Sequence, residues 1–183
     1  VELLYEKGSE LADGHPDRSY KGRCVFLGDN VKDQHFNFAI FEELGATPPC
    51  MEAARALDAV SLFPGYSRMQ SDAKSAYTQS FLRGKPTWVA LPRERWPAEW
   101  HGKYEYPIVP LVLNLYGHPE AGTYWEQDCE AKVLECGFER IHGWRSTFWH
   151  PKAKALLVIY VDDFRLAAKA SDQKRLWAAL RAR

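Results

Sequence analysis

The sequence predicts an α+β fold in which an antiparallel sheet packs against helices. Short apolar runs rich in β-branched and aromatic residues, of which 155–160 is the clearest, are typical of buried strands. A second pattern, starting near Glu120 and stopping at Gly137, is typical of an amphipathic helix. Its apolar face consists of Trp125, Cys129, Val133 and Cys136.

Length and composition limit the class of protein. The chain has 183 residues, 46% of them hydrophobic, and seven tryptophans, so it can bury a core in one domain with a smaller lobe. Lysine plus arginine and aspartate plus glutamate are equal at 24 each, which argues against a generally basic nucleic-acid binder and requires any polyanion site to be local.

Four cysteines without metal-ligand or C-x-x-C spacing indicate reduced thiols and a reducing, intracellular setting. No apolar run has the length of a membrane span or the pattern of a signal peptide, so neither secretion nor a membrane partner is expected.

Few regular elements are predicted in the first third of the chain. Residues 1–19 are polar and turn-rich and predict a loop. A strand is expected over 20–27, with Lys21 and Arg23 on one face. A helix is expected over 36–44, and prolines near 47–49 open another that runs through 51–57.

Asp72 ends a short predicted strand, 68–72, and precedes a predicted helix, 73–82. A carboxylate at such a junction is also a common helix N-cap, which is a sufficient structural role. Strands are further expected over 87–91 and 108–115.

The remaining elements build the hairpin that carries two acids. A helix is expected over 120–136, then a hairpin of 147–149 and 155–160, and a last helix over 172–181 capped by Ser171. The main sheet should therefore carry Asp72 and the acidic hairpin, packed on helices 73–82 and 120–136.

Asp162 and Asp163 are adjacent carboxylates at the predicted hairpin tip. Like charges repel, and burial of the flanking strands raises the cost unless a cation compensates. Magnesium accepts hard oxygen ligands from one or two carboxylates together with water and phosphates. An ordinary Asp-rich turn is the alternative for this stretch alone.

Three motifs in order resemble the palm of reverse transcriptases, in particular those of copia-type LTR retrotransposons. Residues 70–77 read Gln-Ser-Asp-Ala-Lys-Ser-Ala-Tyr, residues 115–117 read Leu-Tyr-Gly with Trp125 downstream, and residues 160–163 read Tyr-Val-Asp-Asp. Residues 21–23, Lys-Gly-Arg, are similar to the basic fingers strand of that family. The resemblance covers nearly the whole chain.

The resemblance implies an RNA-directed DNA polymerase that transfers nucleotides with two Mg²⁺ ions, or Mn²⁺ in their place. Asp72 and Asp162 would hold both ions, and Asp163 would add negative charge and occasional coordination. The backbone carbonyl of Ala73 would supply a further oxygen ligand.

The same resemblance assigns residues that bind the deoxynucleoside triphosphate. Tyr77 would lie under the sugar as a steric gate against a ribonucleotide. Lys21 and Arg23 would grip the triphosphate. Gly117 would let the backbone approach the nucleotide or template closely.

The resemblance also implies a domain division and partners. Residues 1–66 would form a fingers-like part and 67–183 a palm, and the chain is expected to be a piece of a retrotransposon polyprotein without its thumb and any ribonuclease H domain. Partners would be an RNA or DNA template-primer and the rest of the polyprotein, and the location would be the cytoplasm or nucleus, in a retroelement particle. Residues 118–122, His-Pro-Glu-Ala-Gly, replace the usual Leu-Lys-Gln-Ala-Pro, so template contacts made there do not carry over.

Two other classes remain open. A catalytically inactive palm-fold remnant would keep the fold and bind nucleic acid or be purely structural. A hydrolase using two carboxylates as acid and base is a third reading, which leaves Tyr77, Lys21 and Arg23 without a role.

Overall fold

The structure, a computed structural model, describes residues 1–39 and 48–182 and confirms an α+β architecture with antiparallel sheets. The strands in this part of the chain are β1 (Glu2–Lys7), β2 (Ser19–Cys24), β3 (Tyr66–Asp72), β4 (Trp88–Ala90), β5 (Ile108–Pro110), β6 (Glu139–Arg140), β7 (Thr147–His150), β8 (Ala155–Tyr160) and β9 (Asp163–Lys169). The helices are α1 (Met51–Ser61), α2 (Ala121–Glu135) and α3 (Ala170–Arg181).

The main sheet has five antiparallel strands in the order β3-β9-β8-β7-β6. Strand β8 is buried from Ala155 to Ile159, because both faces of the sheet are covered there. A strand buried on both faces needs apolar residues at successive positions, which explains why 155–159 is continuously apolar instead of alternating.

Helices cover the two faces of this sheet. On one face, α2 and α3 bury Trp125, Val133 and Leu176 against β8 and β9. On the other face, α1 buries Ala53 and Leu57 against the same two strands. The residues of α1 lie in the predicted fingers-like part, yet they pack on the sheet that carries the acids.

Two small ribbons accompany the main sheet. Strands β1 and β2 pair over their whole length, and nearly all of their residues are exposed. Beyond β2 the chain contacts the body of the protein, where the N–H of Phe26 donates to the carbonyl of Tyr116 at 2.7 Å. The second ribbon pairs β4 with β5.

Several predicted elements are confirmed: strand 68–72, helix 51–57, helix 120–136, both hairpins of the main sheet and the last helix. Among the described residues, no helix is both long and apolar enough to cross a membrane. All four cysteines are free thiols, as expected.

The predicted helix 73–82 is wrong. Only a short 3₁₀ helix, Ala76–Gln79, forms there, and Ser75 before it is left-handed with φ +52°. The N–H of Ala73 donates to the carbonyl of Asp162 at 2.8 Å. Attachment of this backbone to the hairpin tip outweighs the local helix propensity of the alanines.

Smaller corrections concern strands and caps. The predicted loop 1–19 contains β1, and the strand predicted over 108–115 ends at Pro110, which lacks an N–H for a sheet ladder. The last helix begins before Ser171, which therefore is not its cap. Residues 36–39 form no helix, and the remainder of the helix predicted over 36–44 lies outside the described residues.

Candidate functional site

The pairing of β3 with β9 places Asp72 directly opposite Asp163, at the end of the ladder. Side chains of register partners lie on the same face of a sheet, with Cα atoms about 4.5–5.5 Å apart. Two carboxylates in such a position destabilise the pairing unless positive charge lies between them. The sheet thus concentrates negative charge from two distant parts of the sequence.

Asp162 lies in the two-residue turn between β8 and β9, next to this pair. Its carbonyl accepts the 2.8 Å hydrogen bond from Ala73, so the residue after Asp72 is fixed to the hairpin tip. The side chains of Asp72 and Asp162 are exposed, and that of Asp163 is half-buried. The three predicted acids therefore lie at one end of the sheet.

None of these three carboxylates forms an ion pair with any residue in 1–39 or 48–182. Asp163 has a neutral hydrogen-bond partner: Nε2 of Gln70, which lies two residues before Asp72 in β3, donates to its Oδ1 at 3.3 Å. An exposed, unpaired set of carboxylates is suited to a hard divalent cation.

Across the described ranges, no three or more His, Cys, Asp or Glu residues form a group that could hold a metal ion, and this holds for Asp72, Asp162 and Asp163 taken together. Magnesium does not require a group of three, since it usually takes one or two carboxylates and fills its remaining positions with water and substrate phosphates. One or two of the carboxylates at the hairpin tip would therefore be enough as protein ligands for Mg²⁺.

The hairpin tip contains a strained residue. Val161 has φ +56°, in the left-handed region that a β-branched side chain rarely adopts. Its carbonyl accepts a 2.7 Å hydrogen bond from Nε1 of Trp125, a helix α2 residue that is only 4% exposed. This contact holds the tip in position from below the sheet.

Two tyrosines lie beside the acids. The rings of Tyr77 and Tyr116 have centroids 4.9 Å apart at 46°. Burial raises the pKa of Tyr77, and the charge of Asp162 together with the phenols of Tyr116 and Tyr160 raises it further. Burial and Asp162 also raise the pKa of Tyr116. Both phenols are therefore neutral hydrogen-bond donors at physiological pH.

Lys21 and Arg23 lie on one face of the exposed β1–β2 ribbon, opposite Tyr5 and Leu3 respectively. The Arg23 guanidinium lies 5.7 Å from the centroid of the Tyr5 ring. The charge of Arg23 lowers the pKa of Tyr116, against the stronger effects of burial and of Asp162, which raise it. Neither cation is bonded to the acids, and both remain available to an anionic ligand.

Gly117 is the third residue of a turn closed by the N–H of His118 and the carbonyl of Leu115, and has φ +88°. A Cβ at this position would lie 2.1 Å from the carbonyl oxygen of Phe26. The close approach that glycine permits here is therefore to the chain's own backbone. A role toward nucleotide or template remains a prediction.

His118, the last residue of this turn, is buried and makes structural contacts. The N–H of Glu120 donates to its Nδ1 at 3.3 Å, which leaves the proton on Nε2 for the contact of 3.1 Å with Thr87. Burial lowers the pKa of His118, and the charge of Glu120 opposes this effect.

Sequence reasoning missed the roles of Gln70 and of the Trp125 indole. A tryptophan on the buried face of a helix usually needs an acceptor for its N–H, and this was the signal available for Trp125.

Comparisons of the chain with protein-family models, curated proteins and solved structures find no match.

Proposed function

We propose that this chain is the palm and part of the fingers of an RNA-directed DNA polymerase, similar to those of copia-type LTR retrotransposons. The observation that carries the proposal is the register of β3 with β9, which brings Asp72 to the Asp162–Asp163 hairpin tip. The motif resemblance concerns the same residues, and register and motif are independent kinds of support.

In this proposal, Asp72 and Asp162 supply carboxylate oxygens for Mg²⁺, and the carbonyl of Ala73 supplies a further oxygen. When bound, magnesium lowers the cost of charge that develops on phosphoryl oxygens. Asp163 contributes to the negative field and is oriented by Gln70. The Ala73 to Asp162 hydrogen bond fixes the spacing between the two strands that carry these acids.

The nucleotide would be positioned by the groups around the tyrosine pair. Tyr77, packed on Tyr116, is restricted in its motion and therefore suited to excluding a 2′-hydroxyl by contact. Arg23 offers a bidentate fork and Lys21 a point charge to the triphosphate. Both cations project from a ribbon with few contacts to the body, so we expect the ribbon to move toward the substrate.

The test is primer extension on an RNA template with Mg²⁺ and deoxynucleoside triphosphates. It compares this chain with a form extended by the downstream sequence of its own reading frame. We expect the longer form to extend the primer, the Asp162→Asn variant to lose extension, and Asp172→Asn to retain it. Asp172 is a matched control because it lies in the first turn of α3, at the opposite end of β9.

Template-primer binding is measured on the same proteins. If the longer form binds template-primer but extends nothing, the polymerase proposal is wrong and the chain is an inactive palm-like nucleic-acid binder. If Asp162→Asn is as active as the parent, Asp162 is not a metal ligand, although the protein is still a polymerase.

A further inference from the structure

A cavity of about 490 Å³ lies between α2, α3 and the end of β3, and of its lining residues only Asp72 and Ala73 take part in the proposed reaction. This volume is in the range of small-molecule sites, about 300–1,000 Å³. Its walls include Val133, Phe164 and Leu180, which are apolar, and two indole rings, Trp125 and Trp177. The interior is therefore suited to a flat aromatic body.

Neither indole offers a free N–H to an occupant. Nε1 of Trp125 donates to Val161, and Nε1 of Trp177 donates to Oε1 of Gln173 at 3.1 Å. The thiol of Cys129, also in the wall, is protonated, because burial raises its pKa to about 12. The buried wall thus presents apolar surface without charge.

Charge is confined to four side chains around this apolar surface. Lys74, Lys132 and Arg181 are cations, and Asp72 is the one acid among the described residues that line the cavity. None of the three cations forms an ion pair with any residue of the described ranges. Arg181 lies 5.9 Å from the Trp177 ring centroid.

From this combination, we infer that the cavity is a binding site for a small aromatic anion, with its ring against Trp177 and Phe164 and its acid group toward Lys132 and Arg181. Two or three unpaired cations near one anionic group give charge-assisted hydrogen bonds. Ser71 and Gln79 are the uncharged hydrogen-bonding side chains among the described lining residues, and the larger apolar part of the wall favours a ring over a sugar or a peptide.

Because Asp72 also lines the cavity, an occupant would lie against the end of β3 that carries this acid. The expectation that such an occupant inhibits nucleotide addition rests on the proposed function. The expectation that it binds does not. The test is therefore a direct binding measurement without nucleic acid or metal, so its failure is distinct from a failure of the polymerase proposal.

Isothermal titration calorimetry of the 183-residue chain is carried out with 2-naphthoate and with 2-naphthalenemethanol, which share a ring system and differ in charge. We expect one site per chain and naphthoate binding about tenfold tighter, equivalent to about 1.4 kcal/mol. Lys132→Gln and Arg181→Gln should each weaken naphthoate severalfold and leave the alcohol unchanged. Lys174→Gln, an exposed lysine outside the cavity, is the control and should change neither.

A second variant tests the location. Leu180→Trp fills the cavity from a half-buried position and should abolish binding of both probes. The inference is wrong if the two probes bind equally, if neither binds up to about 1 mM, or if Leu180→Trp binds naphthoate like the parent. It is equally wrong if Lys174→Gln weakens naphthoate as much as Lys132→Gln does.

Discussion

The indole N–H of Trp125 and the carbonyl of Val161 form a 2.7 Å hydrogen bond that connects the buried face of α2 to the turn between β8 and β9. Val161 is left-handed, a conformation that costs about 1–3 kcal/mol for a β-branched residue. A turn under such strain persists only when its surroundings hold it. Trp125 is therefore a support for the position of Asp162.

Trp125→Phe should lower the free energy of unfolding by about 1–3 kcal/mol, because it removes the donor and leaves the Val161 carbonyl unpaired while it keeps an aromatic ring in the core. Urea denaturation followed by circular dichroism measures this loss. Trp88→Phe is the control, since Trp88 is 56% exposed and should change stability little. Equal losses in the two variants would contradict a special role for Trp125.

Val161→Gly should cost less than about 1 kcal/mol, since release of the left-handed strain offsets the added flexibility of glycine. Val158→Gly should cost about 3 kcal/mol or more, because Val158 is 4% exposed in the extended β8 strand. The comparison uses the same denaturation measurement. A loss at Val161 as large as that at Val158 would show that the turn is not strained.

Gly117→Ala should destabilise the protein by about 3 kcal/mol or more, because its Cβ would meet the Phe26 carbonyl in addition to the cost of a positive φ. Gly102→Ala isolates the second effect: Gly102 has φ +80°, and a Cβ added there would meet no atom within 4 Å, so about 1 kcal/mol is expected. Thermal unfolding of both variants checks the difference. Similar losses of stability in the two variants would mean that the backbone around Phe26 moves aside at little cost to make room for the added Cβ.

His118 should make the protein less stable in weak acid. Its folded-state pKa is lowered from 6.5 by burial, so the unfolded chain takes up this proton first as the pH falls. The contribution to stability is complete above about pH 6.5 and is lost as the pH falls through the lower, folded-state value. Stability measured from pH 7.5 to 5 should therefore fall less steeply in His118→Gln than in the parent.

The buried His150 also has a lowered pKa, from burial and then the charge of Arg175, so part of the slope remains in His118→Gln. His142→Gln, at an exposed position, is the control and should keep the parent slope. An unchanged slope in His118→Gln would contradict the buried, neutral imidazole.

The sequence predicts the central hairpin well because its signals are local. The run 155–160 is apolar throughout, and the acids that follow it favour a turn, so strand and tip are found without knowledge of the rest of the chain. The sequence signal for the amphipathic helix that stops at Gly137 is equally clear, and Gly137 has the positive φ expected at a helix end.

The segment after Asp72 could not be predicted in the same way. Its alanines favour a helix, but the hydrogen bond from Ala73 to Asp162 is a contact between distant parts of the sequence that no local pattern contains. The same holds for Gly117: a glycine before His118 indicates a turn, but only the structure shows that Phe26 occupies the space of its missing side chain.

For the position of Asp72 opposite Asp163, the number of residues in β3 and β9 matters more than the identity of most side chains in these strands. Successive residues of a strand point to opposite faces, so deletion of a single residue between Tyr66 and Asp72 turns every side chain beyond it over. Substitutions at exposed positions such as Met69 should leave the pairing intact. Relatives of this chain should therefore vary at such positions of β3, keep Asp72, and tolerate no insertion or deletion within the strand.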